Sequence, residues 1–369
     1  MSDIKLPSPT GAYKVGTTTF SVTDENRIEL LGDNAGKAKR RLFARLYYPV
    51  KPEDTEGLEQ AEVMSEVKLK ALAKTFHMPI KSDAKIDSNC FEDAKPAGRF
   101  PLLIFSHGMG SYAESNHQMC IDLCSNGYNV LAVGHAFESV ANEYDDGTVD
   151  FMDKTITKRV YDPYWRGTFA LLKTMGDKKS SNEEAYAKFM DFQDKYARFI
   201  VERMEERVKD IKFIIDEAVR RYGDLIDDPE NIGVFGHSIG GATAYYLCMT
   251  DARFKAGMNL DGMLVGHYNG MVMRTPFCQI SCDDAITTET KIAINMEAPY
   301  YWEIFKGMRH QGFSDLKFFI PVKAVTGKMP AEMMHENLCK IGKSFFDKYI
   351  KGLEIEVFEP DNDWIQRRR

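Results

Sequence analysis

The sequence predicts an α/β fold: a mostly parallel central sheet with helices on both faces and a helix-rich insertion ahead of one glycine-flanked serine. Three observations predict it. Leu102-Leu103-Ile104-Phe105 and Tyr128-Asn129-Val130-Leu131-Ala132-Val133 are near-continuous apolar runs, as strands buried on both faces require. Helix-spaced apolar stretches separate such runs, and parallel neighbours need a crossover of that kind. Finally, Gly236-His237-Ser238-Ile239-Gly240 lies between a β-prone run, Ile232 to Phe235, and a helix-prone stretch, Gly241 to Leu247.

Taken in order, the chain begins with β character. Thr17–Val22, Arg27–Leu31 and the alternating Leu42–Tyr48, ended by Pro49, read as antiparallel strands. Residues 51–99 form a polar insertion in which Leu58–Phe76 has helical spacing. Its apolar face is short and flanked by acidic residues, which favours a packed surface helix over a weak interfacial contact with lipid. A strand–helix–strand unit follows, with Met119–Asn126 as its helix.

Residues 137–230 are a second insertion, helix-rich from Glu183 to Arg221. Phe189, Phe192, Tyr196, Phe199 and Ile200 make one apolar face, continued by Met204, Val208, Ile211, Ile214 and Ile215, and core packing is its expected role. The helix stops near Gly223 and Pro229. Buried strands are then expected at Ala256–Leu260, Pro276–Ile280 and Tyr300–Phe305, and a closing amphipathic helix at Ala331–Ile350. One domain over residues 1–369, carrying both insertions, is the expected organisation.

Composition narrows the function. The 369 residues are 44% hydrophobic, and 48 basic against 55 acidic side chains leave a net charge of −7, so no electrostatic case exists for nucleic acid as main partner. Arg367-Arg368-Arg369 is too short for a binding patch and reads as a frayed terminus. No run of 18 apolar residues exists to span a membrane, and the first residues lack a charged-then-apolar leader pattern. The seven cysteines are odd in number and scattered, which fits a reducing cytoplasm rather than a disulfide framework. Cys120/Cys124 and Cys278/Cys282 fit buried thiols better than a zinc site. No cofactor and no metal are expected.

The strand–turn–helix context makes Ser238 a nucleophile on a sharp elbow, with flanking glycines where side chains would collide. A serine hydroxyl needs a base, and the base needs a carboxylate to fix its tautomer. In α/β-hydrolases the order along the chain is Ser, then Asp or Glu, then His. Of the histidines after Ser238, His267 follows the next strand too closely and His335 lies inside the closing helix. His310 alone lies in the loop that follows the last buried-strand candidate, Lys306 to Phe313, so it is the expected base. For the acid, Asp261 ends the strand after the serine unit, and Asp283 and Asp284 end the one after that. Fold analogy leans to Asp284, and position alone leaves both open. Two backbone N–H donors must hold the oxyanion. Ile239 supplies one, and Met109, in Phe105-Ser106-His107-Gly108-Met109-Gly110, is the second. His107 is expected to hold that loop by hydrogen bonding.

Phe105 to Gly110, Gly236 to Thr243, Leu260-Asp261-Gly262 and His310-Gln311-Gly312-Phe313-Ser314-Asp315 together resemble the platelet-activating factor acetylhydrolase family of α/β-hydrolases, the plasma and intracellular type II enzymes. The resemblance covers roughly residues 100–320. It implies Ser238 as nucleophile, Asp261 as acid, His310 as base, and Met109 with Ile239 as oxyanion donors, and it overturns the lean to Asp284. One departure stands out. Where the family tends to carry His-Arg-Asp, this chain has His135-Ala136-Phe137-Glu138-Ser139, which is expected at the pocket rim. The end, Phe345 to Gly352, also resembles dienelactone hydrolases, which use a cysteine where this chain has Ser238. The expected activity is serine ester hydrolysis through an acyl-enzyme, on short-acyl esters including phospholipids with a short or oxidised sn-2 chain. The expected partner is a small-molecule or lipid ester. The alternatives are acyl transfer through the same intermediate, and ligand binding without turnover.

Overall fold

Ten strands share one sheet, and their order explains why distant loops meet. The computed structural model describes residues 6–76, 86–160, 163, 167, 181–268, 270–283, 296–320 and 322–368. Its strands are β1 (Lys14–Ile28), β2 (Lys39–Val50), β3 (Cys90–Glu92), β4 (Leu102–Ser106), β5 (Asn129–Gly134), β6 (Ala141–Glu143), β7 (Val149–Phe151), β8 (Ile232–His237), β9 (Phe254–Leu260), β10 (Phe277–Cys282), β11 (Tyr300–Phe305) and β12 (Ile365–Arg368). The main helices are α1 (Glu66–Phe76), α2 (His117–Ser125), α3 (Asn182–Phe192), α4 (Arg198–Tyr222), α5 (Ile239–Thr250) and α6 (Ala331–Tyr349).

The sheet runs β12-β11-β10-β9-β8-β4-β5-β2-β1-β3, with β6 and β7 forming a separate hairpin. From β11 to β5 every neighbouring pair is parallel, and β2 is antiparallel to both β5 and β1. Side chains alternate between two cores. Leu103, Phe105, Val130 and Ala132 face the core shared with α2 and α6. Leu102, Ile104, Leu131 and Val133 face the other, shared with α4 and α5. Both faces are therefore apolar, which is why these strands read as unbroken hydrophobic runs.

Some expectations shift. Arg27–Leu31 is no strand of its own: β1 is one long strand whose register slips between Asp24 and Ile28 before the chain turns away. Leu58–Phe76 is helical only from Glu66. Its first part is irregular, with Ala61, Val63 and Met64 buried and Gln60 bridged to Phe91. Leu69 and Leu72 of α1 are buried, so its apolar face is occupied by packing. The second insertion opens with the β6–β7 hairpin, and its helix is α3 and α4 joined through a π-helical stretch, Gln193–Ala197. Phe189 and Phe192 are core residues, Tyr196 and Ile200 pack against them, and Phe199 sits 3.7 Å from the Arg159 guanidinium. The expected frayed end is instead structured through Arg368: β12 pairs antiparallel with β11, and Arg367 binds the buried Glu303 carboxylate. Among the described residues no helix is long and apolar enough to cross a membrane. All seven cysteines are buried free thiols.

Candidate active site

Functional groups gather beyond the carboxyl ends of parallel strands, and here β4, β8, β9 and β11 each deliver one piece. Between β8 and α5 the chain reverses within a single residue. Ser238 takes φ +58° and ψ −126°, a conformation that costs a non-glycine residue about 1–3 kcal/mol. The flanking glycines are steric necessities. A Cβ on Gly236 would lie 2.3 Å from the Gly240 carbonyl carbon, and one on Gly240 would lie 2.0 Å from the Ser106 oxygen. The bend leaves the Ser238 hydroxyl at the head of the sheet while its own N–H donates to the Leu260 carbonyl at 2.9 Å.

His310 opens a short 3₁₀ turn after β11, and its Nε2 lies 2.9 Å from Ser238 Oγ. Its Nδ1 lies 2.8 Å from Asp261 Oδ2. A carboxylate can only accept, so Nδ1 carries the hydrogen of the neutral ring and Nε2 is left to accept from the serine hydroxyl. Asp261, at φ +55°, caps the end of β9 with a side chain only 5% exposed. Its second oxygen accepts the Cys282 N–H at 2.8 Å, and the Cys282 thiol lies 3.5 Å from Oδ2. With one oxygen fixed by that amide, the other points at the imidazole. The His310 side chain is 42% exposed, so the ring is accessible from solvent.

The structure therefore brings together Ser238, Asp261 and His310. Asp283 instead accepts the Gly307 N–H at 3.0 Å, a loop-capping role, and Asp284 lies outside the described residues. His267 stands apart near Asp194 and Glu205, and His335 near Cys339. One partner went unseen in the sequence reading: His237 donates Nε2–H to the His310 carbonyl at 2.9 Å, and the two rings lie 4.8 Å apart. Burial, then the neighbouring His310, push the His237 pKa down to about 3, so this ring stays neutral. Its position inside the serine motif was the signal that could have found it.

The loop after β4 lies alongside. A side-chain carbon on Gly108 would stand 3.3 Å from Ser238 Cβ, so the loop that carries Met109 packs closely beside the serine. Among the described residues, the N–H groups of Met109 and Ile239 have no hydrogen-bond acceptor. For Ile239 this follows from its place at the first position of α5. His107 holds the loop as expected. Its Nε2 accepts from the His135 N–H at 3.4 Å and lies 2.9 Å from Ser139 Oγ, which leaves Nδ1–H to donate to the Gly108 carbonyl at 2.6 Å. Burial, then the charge of Arg207 beside it, hold the His107 pKa well below the usual range, so it is no base.

His135–Ser139 corrects the expectation of a pocket rim. His135, Ala136, Glu138 and Ser139 are fully buried beneath the loop. His135 bonds the Ser106 hydroxyl at 3.0 Å and Asp210 at 2.8 Å, and Arg40 pairs with Asp210 at 2.6 Å. Burial opposes the Asp210 charge, yet Arg40 and His135 hold its carboxyl well below the ordinary range.

Comparison with known proteins fits this geometry. The sequence pattern of the family described as platelet-activating factor acetylhydrolase, isoform II, matches residues 1–336. Platelet-activating factor acetylhydrolase of Cavia porcellus is 25% identical over 373 residues, covering 95% of this chain and 78% of that protein. A probable 1-alkyl-2-acetylglycerophosphocholine esterase of Arthroderma benhamiae is 23% identical over 367 residues, covering 90% and 82%. A ferulic acid esterase from Streptomyces cinnamoneus superposes with a TM-score of 0.74 over 100% of both chains at 19% identity, which shows the shared α/β-hydrolase fold. With nine-tenths of its length inside the family's pattern, the chain belongs to the platelet-activating factor acetylhydrolase, isoform II, family.

Proposed function

We propose that this chain, a carboxylic ester hydrolase by family, cleaves short-acyl esters through an acyl-enzyme on Ser238. The observation that carries the reading is the continuous hydrogen-bonded path from Ser238 Oγ through His310 to Asp261, at 2.9 and 2.8 Å. His310 Nε2 takes the serine proton as Oγ attacks the acyl carbon, and Asp261 stabilises the imidazolium that forms. The Met109 and Ile239 N–H groups, both without an acceptor among the described residues, receive the oxyanion. His310 then protonates the departing alkoxide. Water enters at the exposed side of the same ring and repeats the sequence, releasing the acid and restoring Ser238.

The relatives support a substrate class: the fungal esterase is named for a 1-alkyl-2-acetylglycerophosphocholine and the guinea-pig protein for acetyl hydrolysis of platelet-activating factor. We take phospholipids with a short or oxidised sn-2 acyl group as the natural class. The seven buried free thiols support a reducing, cytoplasmic setting, and lipid breakdown is the role we assign.

The test is Ser238→Ala against wild type. The wild-type protein should gain one fluorophosphonate adduct on Ser238 by intact-mass spectrometry and release acetate from an sn-2 acetyl phospholipid. Ser238→Ala should lose both while keeping the wild-type melting temperature. Turnover retained in that variant ends the reading.

A further inference from the structure

The buried segment after β5, His135–Ser139, is joined to the oxyanion loop by a residue of the second insertion. Arg207 lies on α4, fully buried. Its Nη1 donates to the His107 carbonyl, and its Nε donates to Glu138 Oε2 at 2.9 Å. The Glu138 carbonyl in turn accepts the Gly110 N–H at 2.9 Å. One guanidinium therefore reaches both ends of the loop, His107 directly and Gly110 through Glu138. Met109 is suspended between those two anchors.

The rest of the arrangement reinforces the brace. The Gly108 carbonyl accepts from His107 Nδ1–H and from the Ser111 N–H at 3.1 Å. That carbonyl belongs to the peptide whose N–H is Met109's, so both bonds fix the donor's direction and strengthen its polarity. Arg40 and Arg203 approach Glu138 at 3.7 and 3.8 Å, so the carboxylate is held from several sides. A buried ion-pair cluster is poor evidence for stability, since apolar residues of similar volume often serve as well. Its place here is directly under four residues that must not drift.

We propose that Arg207 is a positioning residue for the oxyanion loop: the second insertion, through α4, sets the direction of the Met109 N–H. The inference rests on the acyl-enzyme reading above. Misplacing a stabilising group by about 1 Å typically costs on the order of 10²-fold in rate. The loss falls on kcat, because the donor acts on the charged intermediate more than on the bound ester.

The experiment compares Arg207→Met, Arg207→Lys and Glu138→Gln with wild type. It measures kcat and KM on p-nitrophenyl acetate, the inhibition constant of an alkyl trifluoromethyl ketone, and melting temperature. The ketone adds to the serine and places a real oxyanion at the loop. Arg207→Met should lower kcat roughly 10- to 100-fold with KM changed less than about threefold. Ketone affinity should fall in parallel. Arg207→Lys, which still donates to the His107 carbonyl, should recover most of the loss. A folded Arg207→Met with wild-type kcat and ketone affinity overturns the proposal. If that variant does not fold, Glu138→Gln decides: a parallel fall in kcat and ketone affinity supports the brace, and unchanged values overturn it. Ser238→Ala keeps the two readings distinguishable. Turnover in that variant defeats the acyl-enzyme itself, whereas an inactive Ser238→Ala beside an unaffected Arg207→Met defeats only the brace.

Discussion

Replacing Asp261 with asparagine exchanges one oxygen for an NH2 and, through it, reverses a proton assignment on His310. The two carboxylate oxygens have separate duties: Oδ1 accepts the Cys282 N–H at 2.8 Å and Oδ2 faces His310 Nδ1 at 2.8 Å. The amide of the variant must keep its oxygen toward Cys282, because a backbone N–H has to meet an acceptor. Its NH2 then points at His310 and donates to Nδ1. The ring hydrogen moves to Nε2, which donates to Ser238 Oγ instead of accepting from it. No base remains at neutral pH. In serine hydrolases this tautomer error costs about 10⁴ in kcat, equal to about 5.4 kcal/mol at 1.36 kcal/mol per decade. The assay is kcat on p-nitrophenyl acetate between pH 6 and 10, with circular dichroism to confirm folding. Asp261→Asn should fall by about four decades near pH 7, and Asp284→Asn should keep wild-type kcat. Retention of kcat within tenfold in Asp261→Asn, or a severe loss in Asp284→Asn alone, refutes the reasoning.

Two further expectations concern stability. Burial pushes the His117 and His135 pKa values down to about 4 and that of His237 to about 3, so these rings stay neutral in the folded chain where an unfolded chain takes up protons. Their contribution is fully present above pH 6.5 and is lost as pH falls toward 4, at up to about 1.4 kcal/mol per pH unit for each ring. Urea denaturation at pH 5 and pH 7 should show His117→Gln reducing that dependence by about one proton, and an unaltered slope would falsify the assignment. Arg367→Ala strips the buried Glu303 of its cation. It should destabilise the fold by about 3 kcal/mol, lowering the melting temperature by several degrees; a change within experimental error would show that this ion pair is not needed for stability.

The legible parts were those written in short stretches of chain. Ser238 and Ile239 follow from five residues and their flanks, and His310 from being the one histidine in the loop directly after the last predicted inner strand. Asp261 was harder, because the sequence does not say which of two adjacent strand ends leans toward a given imidazole; the family resemblance separated it from Asp284. What stayed hidden depends on pairings across long separations. Arg207 meets Glu138 69 residues away and His107 100 residues away. A buried arginine looks the same in sequence as an exposed one on a charged helix. The rim assigned to His135–Ser139 failed for that reason: polar residues after an inner strand read as surface until their buried partners are known. Arg367 failed likewise, since nothing local announces that Glu303 waits for it on a neighbouring strand.

The amide that steadies the acid belongs to β10, a strand that gives no side chain to the proton path. The aspartate at the end of β9 leans across to β10, where the Cys282 amide fixes one of its oxygens and leaves the other for the imidazole. Two anchorages one strand apart thus converge on one imidazole.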